Sequence, residues 1–178
     1  MAAYDYLDCT GNTAGAAPTY YATATINTVA EWSEWSYGMW LQSDSKDSDN
    51  QIPASFRQAS AAMPYAYLNN ETHAYFGGED GGSVACDYGA LAFIGAIGYQ
   101  GDPYWSGASY CQTAGGQDFA RGAEWISIAA IVGPDLTLCG NIYGADSAAF
   151  DGKMFEFKLW HSVKTEANFD TLYSAGAP

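Results

Sequence analysis

The residues in this chain best suited to binding chemistry are aromatics set beside a carboxylate. In "KMFEFKLWHS" Glu156 shares strand parity with Trp160, and in "GDPYWSGASY" Tyr104 and Trp105 stand in a polar, Gly-rich stretch. A flat ring covers the apolar face of a sugar while a planar polar group takes its hydroxyls, so this pairing suits carbohydrate recognition. Trp40, in "WSYGMWLQ", offers another such ring. Glycoside cleavage would need a second carboxylate a few ångströms from the first, which in a strand means acidic residues at even spacing. No such run is present: Glu31 and Glu34 lie on opposite parities and Glu156 stands alone. Recognition is expected, and catalysis is not.

Metal and redox chemistry are read the same way. "SDSKDSDN" places Asp44, Asp47, Asp49 and Asn50 in one loop, and hard oxygen donors of this kind suit Ca²⁺, although the spacing is not that of an EF-hand and such loops also serve as solvated turns. No cofactor is required by these residues; Ca²⁺ is the one that the Asp donors would suit. Cys9, Cys86, Cys111 and Cys139 show no metal-ligand spacing and lie far in sequence from His73 and His161, so zinc is not expected. Two disulfides are expected instead. Of the three connectivities four cysteines allow, the pairing taken is Cys86 with Cys111, closing a Gly-rich insertion, and Cys9 with Cys139. The sequon "NET" makes Asn70 a glycosylation candidate, and Trp32, three residues before Trp35, a C-mannosylation candidate. No nucleophile motif or phosphate loop is found.

Cysteine use points to a secreted, extracellular or other oxidising compartment. The amino end "MAAYDYLDCT" carries acidic residues where a signal peptide would carry basic ones, so no signal peptide is expected. With Lys+Arg 6 against Asp+Glu 20 the net charge is -14, a field that repels phosphate backbones and anionic headgroups. Nucleic acid is excluded as a partner. Membrane insertion is excluded too, since "ALAFIGAIGY" has about half the length a span needs.

These residues need a scaffold, and composition indicates which. The chain has 178 residues, 48% of them hydrophobic and 16% aromatic, with 20 glycines and few straight-chain helix formers. One all-β domain over residues 1–178 is expected. Short runs separated by Gly, Asp, Asn, Pro and Ser read as strands: "YYATATIN", "SYGMWLQ", "LAFIGAIGY" and "KMFEFKLWHS", the last alternating throughout, with a hairpin in "YAYLNNETHAYFGG" around Asn69 and Asn70. "LAFIGAIGY" is apolar on both parities, as a strand covered on both faces would be. "AEWSEWSYGMWLQSD" places Trp35, Tyr37, Met39 and Leu41 on one face and Trp40 on the other, the pattern of a core strand. "GYQGDPYWSGASYCQTAGGQD" reads as a long irregular loop. Only "TEANFDTLYSAG" has helical spacing, with Thr165 as N-cap and Gly176 as terminator.

Three segments carry a resemblance. These are "WSYGMWLQ", with Trp40 in its second half; "EWISIAAIVGPDLTLCGNIYG", a strand, an Asp/Gly turn and a strand ending in Gly; and "FDGKMFEFKLWHSVKTEANFDTLY", a Phe-x-Gly, an alternating strand and a short helix closing in Leu-Tyr. Together they resemble the laminin-G-like branch of the concanavalin A-like lectin/glucanase superfamily. The resemblance implies a jelly-roll sandwich of two antiparallel sheets with a short C-terminal helix. It also implies that Trp40 and Trp160 either line a concave binding face or lie beneath loops or the closing helix. The function expected is a non-catalytic recognition or adhesion module for a glycan or protein surface. The alternative is a structural or accessory subunit of a filament, coat or larger assembly, a homo-oligomer included, with its aromatic loops buried between subunits.

Overall fold

The structure, a computed structural model, describes residues 6–13, 16–25, 34–45, 51–56, 66–69, 73–76, 84–100, 105–121, 135–140 and 148–176. Along the chain the elements are β1 (Leu7–Asp8), β2 (Ala22–Thr25), β3 (Glu34–Ser43), β4 (Ala54–Phe56), β5 (Ala66–Asn69), β6 (His73–Phe76), β7 (Val84–Ala85), β8 (Ala92–Gln100), β9 (Trp105–Thr113), β10 (Gly116–Arg121), β11 (Asp135–Leu138), β12 (Gly152–Trp160) and α1 (Glu166–Ser174).

The doubly apolar run becomes β8, in the interior of a six-stranded antiparallel sheet of order β1-β12-β3-β8-β9-β10. A second layer is built from two three-stranded sheets, β2-β11-β4 and β5-β6-β7. They are joined where Gln51 and Leu68 exchange backbone hydrogen bonds of 3.1 and 2.8 Å. The two layers enclose the main core. Trp35, Tyr37, Met39 and Leu41 of β3 all face it, fully buried, with Ile94, Cys111 and Met154 from neighbouring strands and Ala54, Leu68, Val84 and Leu136 from the opposing layer. Trp35 stacks on Tyr37 at 5.8 Å. This is an all-β jelly-roll sandwich of antiparallel sheets with one short C-terminal helix.

The opposite face of the six-stranded sheet is also apolar, and α1 covers it. Trp40, Phe93, Ile97, Ala108 and Tyr110 form a second cluster around Phe169 of the helix. Gly38 of β3 and Gly95 of β8 are cross-strand partners, and their missing side chains open a depression in this face. A Cβ on Gly95 would lie 2.9 Å from the Phe169 ring. The helix is delivered there by a fixed turn: Ser36 Oγ donates to the Ser162 carbonyl and accepts from the Lys164 N–H, both at 2.8 Å. Thr165 caps the helix, its side chain accepting from the Asn168 N–H while the Asn168 side chain accepts from the Thr165 N–H. Gly176 follows the C-cap with φ 107°, a left-handed conformation suited to a helix end.

Two segments differ from their sequence reading. The stretch expected to be an irregular loop contains the β9–β10 hairpin, in which Gly116 pairs with Thr113. Its Gly and Ser content hides a strand whose alternation lies in Ala108 and Tyr110 facing the helix while buried Ser109 and Cys111 face the opposite way. The alternation expected to run unbroken through β12 is interrupted: its register against β3 shifts between Phe155 and Lys158. Without the extra residue, Phe157 and Leu159 would face α1; with it they pack against the main core. The hairpin expected in "YAYLNNETHAYFGG" pairs β5 with β6, Asn69 opposite His73, and its tip at 70–72 lies outside the described residues.

Cys9 is bonded to Cys139 and Cys86 to Cys111, with Cα separations of 5.5 and 5.7 Å. Beside the first bridge, buried Asn12 acts as a hub. Its amide nitrogen donates to the carbonyls of Tyr20, Cys139 and Phe150, and its oxygen accepts from the N–H groups of Thr19 and Tyr20. Gly152 begins β12 at φ 151°, and a Cβ there would sit 2.2 Å from the Gln42 carbonyl, so the close approach of β12 to β3 admits only glycine.

Two outcomes follow from the helix-covered face. Phe169→Ala removes the ring that fills the Gly95 depression and lowers unfolding free energy by about 3–5 kcal/mol, measurable as a lower urea midpoint at unchanged slope. Burial first, and then its hydrogen bond to Asp170, push the Tyr110 phenol far above its usual range. The folded state thus holds Tyr110 neutral where the unfolded chain, titrating near pH ~10, does not. Stability is therefore flat below about pH 10 and falls above it by roughly 1.4 kcal/mol per pH unit for this group. Tyr110→Phe makes that alkaline limb shallower in a pH series of denaturant melts.

Candidate functional site

β12 carries most of the candidate residues, and its bulge sets their arrangement. Glu156, the extra residue, has φ 47°, a left-handed conformation costly for a side chain with a Cβ. It is exposed, and its carboxylate takes the Lys158 ammonium at 2.8 Å, a pair open to solvent on both sides. On either side of the bulge an aromatic faces the outer surface of the sheet. Phe155, half-buried, lies opposite Trp40, and Trp160, also half-buried, lies opposite Ser36. Tyr6, exposed, tilts against Phe155 with ring centroids 5.5 Å apart. The fixed turn at Ser36 brings Lys164 over Trp160, Nζ 5.2 Å from the ring centre, and Lys153 stands 5.7 Å from the centre of Tyr6. Tyr6, Lys153, Phe155, Glu156, Lys158, Trp160 and Lys164 thus form one strip of rings and charges, and it holds three of the chain's 6 Lys and Arg residues.

The other candidates separate. Trp40 is 4% exposed: Tyr173 of the helix stacks on it at 5.1 Å and Phe93 meets it edge-on at 5.4 Å. Of its two readings the structure shows the second, a ring beneath the closing helix. Trp105 begins β9, its backbone paired with Gln100, but its side chain and the whole of Tyr104 lie outside the described residues. Asp44 is exposed and accepts from the Thr10 hydroxyl at 3.2 Å, while Asp47, Asp49 and Asn50 lie outside the described residues, as do Trp32 and Asn70. Among the described residues no group of three His, Cys, Asp or Glu side chains is placed to hold a metal ion.

Sequence reasoning missed Tyr6, Lys153, Lys158 and Lys164. The clustering of half the cations within residues 153–164 of an acidic chain was a signal available to it. The strip offers apolar surface from exposed Tyr6 and half-buried Phe155 and Trp160, and the exposed Glu156–Lys158 pair on the same strand offers an acceptor and donors.

No protein-family model matches the chain, and no curated protein matches it in sequence. Among solved structures it is similar to the CBM40 domain of the Ruminococcus gnavus IT-sialidase bound to α2,3-sialyllactose, with a TM-score of 0.57 and 9% identity over 94% of this chain and 95% of that one. A structure described simply as the same CBM40 gives a TM-score of 0.55, again at 9% identity, over 94% and 96%. These likenesses show a shared fold. Domains LG4-5 of the mouse laminin α1 chain reach a TM-score of 0.49 at 10% identity, over 80% of this chain and 41% of that one, too low to argue for the laminin-G-like branch.

The strain at Glu156 gives a direct outcome. Glu156→Gly accepts the same φ without a Cβ, so it raises stability by up to about 1 kcal/mol despite losing the exposed ion pair. A melt showing destabilisation of that size instead would mean that the ion pair, and not the bulge, is what Glu156 contributes.

Proposed function

We propose that this chain is a non-catalytic recognition module of an oxidising, extracellular setting, binding a glycan or protein surface. The observation that carries the reading is the strained Glu156 bulge, set between half-buried Phe155 and Trp160 on an otherwise regular strand. A left-handed glutamate costs stability, and the bulge it forms turns Phe157 and Leu159 toward the core while leaving the carboxylate exposed on the strand that carries both rings, where a ligand can reach it. The shared fold with a carbohydrate-binding domain supports the reading, and the two buried disulfides support its setting. Tyr104 and Trp105 remain part of the proposed surface, while Trp40 contributes by supporting α1. Calcium is proposed at Asp44, Asp47 and Asp49. Bound calcium would raise the melting temperature, with EDTA restoring the lower value; no shift would remove that ion from the proposal.

The second reading, a subunit of a larger assembly, draws on the exposure of Tyr6, Tyr20 and Tyr21 at 47%, 55% and 49%, since tyrosine is enriched in interfaces. Light scattering after size-exclusion chromatography separates the two. A monomer retained on an immobilised glycan, whose retention Trp160→Ala reduces by about tenfold or more, supports recognition. A discrete oligomer with no retention favours the subunit.

A further inference from the structure

Away from β12, one loop presents an aromatic side chain on a backbone fixed from beneath. Thr19 and Tyr20 give their N–H groups to the buried Asn12 oxygen, both at 2.9 Å, and the Tyr20 carbonyl accepts from the Asn12 amide at 2.8 Å. The same amide nitrogen reaches the carbonyls of Cys139 and Phe150, and Cys139 is held to Cys9. Pro18 lies against Gly140, where a Cβ would come within 2.7 Å of it. The loop backbone is therefore preorganised, yet the Tyr20 ring is 55% exposed. That ring rests against Gly11, whose φ of 92° is a left-handed conformation suited to glycine.

Two carboxylates are tied to the Thr10–Gly11 segment against which the ring rests. The Gly11 N–H donates to Asp151 Oδ1 at 3.0 Å, the Thr10 hydroxyl to Asp44 Oδ2 at 3.2 Å, and the Asp44 N–H to the Asp151 carbonyl at 3.1 Å. Each carboxylate uses one oxygen in these bonds, and its second oxygen accepts nothing from the described residues. An exposed ring on a fixed backbone, with carboxylate acceptors bonded to the segment it rests against, fits a ligand that has apolar C–H faces and many hydroxyl donors. The carboxylates and the net charge of -14 disfavour an anionic ligand at this place.

We propose that Tyr20, Thr10, Asp44 and Asp151 form a second binding subsite, at the loop rim, for a neutral sugar: the Tyr20 ring stacks on a pyranose and the two carboxylates accept its hydroxyls. The subsite rests on the recognition reading above and names a sugar class and a location for it. Burial of the ring face orders little new structure, because Asn12 and the Cys9–Cys139 bridge already hold the loop.

The intact chain is tested on an array of neutral and anionic oligosaccharides in EDTA, and the strongest neutral sugar is titrated calorimetrically against Tyr20→Ala, Tyr20→Phe, Asp44→Asn and Trp160→Ala. EDTA makes any loss in Asp44→Asn report contact with sugar and not with calcium. The expected result is binding of a neutral oligosaccharide, weakened about tenfold by Tyr20→Ala and by Asp44→Asn and retained by Tyr20→Phe, all at unchanged melting temperatures. Equal affinity in wild type, Tyr20→Ala and Asp44→Asn, with loss only in Trp160→Ala, overturns the rim subsite and leaves the recognition reading standing. Binding confined to anionic sugars, or absent in EDTA, overturns the subsite as well. A chain that binds neither a glycan nor an immobilised protein overturns both.

Discussion

The six-stranded sheet is apolar on both faces, and each face needs its own cover. Ile94 and Phe93 are neighbours on β8, yet Ile94 belongs to the core between the layers and Phe93 to the cluster under the helix. The second layer covers the first face with strands. The other face has only nine residues of helix, so its closure depends on the fit of one ring, Phe169, over Gly95. Ser36, Thr165 and Asn168 serve that fit by setting where the helix begins. The outward surface follows from it: α1 buries Trp40 and leaves the β12 side of the same face, with Phe155 and Trp160, half open.

How much of this is legible in residue order depends on the range of the interaction. The faces of β3 and the cap of α1 are, because Trp35, Tyr37, Met39 and Leu41 repeat with the strand period and Thr165 acts within its own turn. β9 is not, because its inward face is Ser109 and Cys111 and the glycines in and around it read as turns; a strand packed with small residues has little hydrophobic alternation to detect. The β12 bulge is not either. "FEFKL" alternates on paper, and only pairing with β3 shows that one residue too many is present. For the candidate site this matters, since the parity that placed Glu156 beside Trp160 is broken between them. Whether Trp40 is open or covered depends on a tyrosine 133 positions later in the chain, Tyr173, and no local pattern encodes that meeting.

Charge and aromatic content are unevenly placed on the surface. The β12 strip concentrates cations in an acidic chain, while the rim around Gly11 gathers Asp44 and Asp151 near an exposed tyrosine. Beneath Tyr20 the backbone is held by buried Asn12, and beside Trp160 the turn at Ser36 fixes Lys164. Rigid backbone beneath exposed rings is what lowers the entropic cost of association.

The bridge between Cys9 and Cys139 spans a sequence separation of 130 residues. Under tension applied through the chain ends, that bond makes the enclosed segment mechanically silent and withholds roughly 440 Å of contour length from extension. Only chain outside the bridge, before Cys9 or after Cys139, can lengthen. After Cys139 the chain forms β12 and α1, so a pulling force would load that helix and its cover over Trp40, while the rim loop and most of the sandwich stayed shielded from the load.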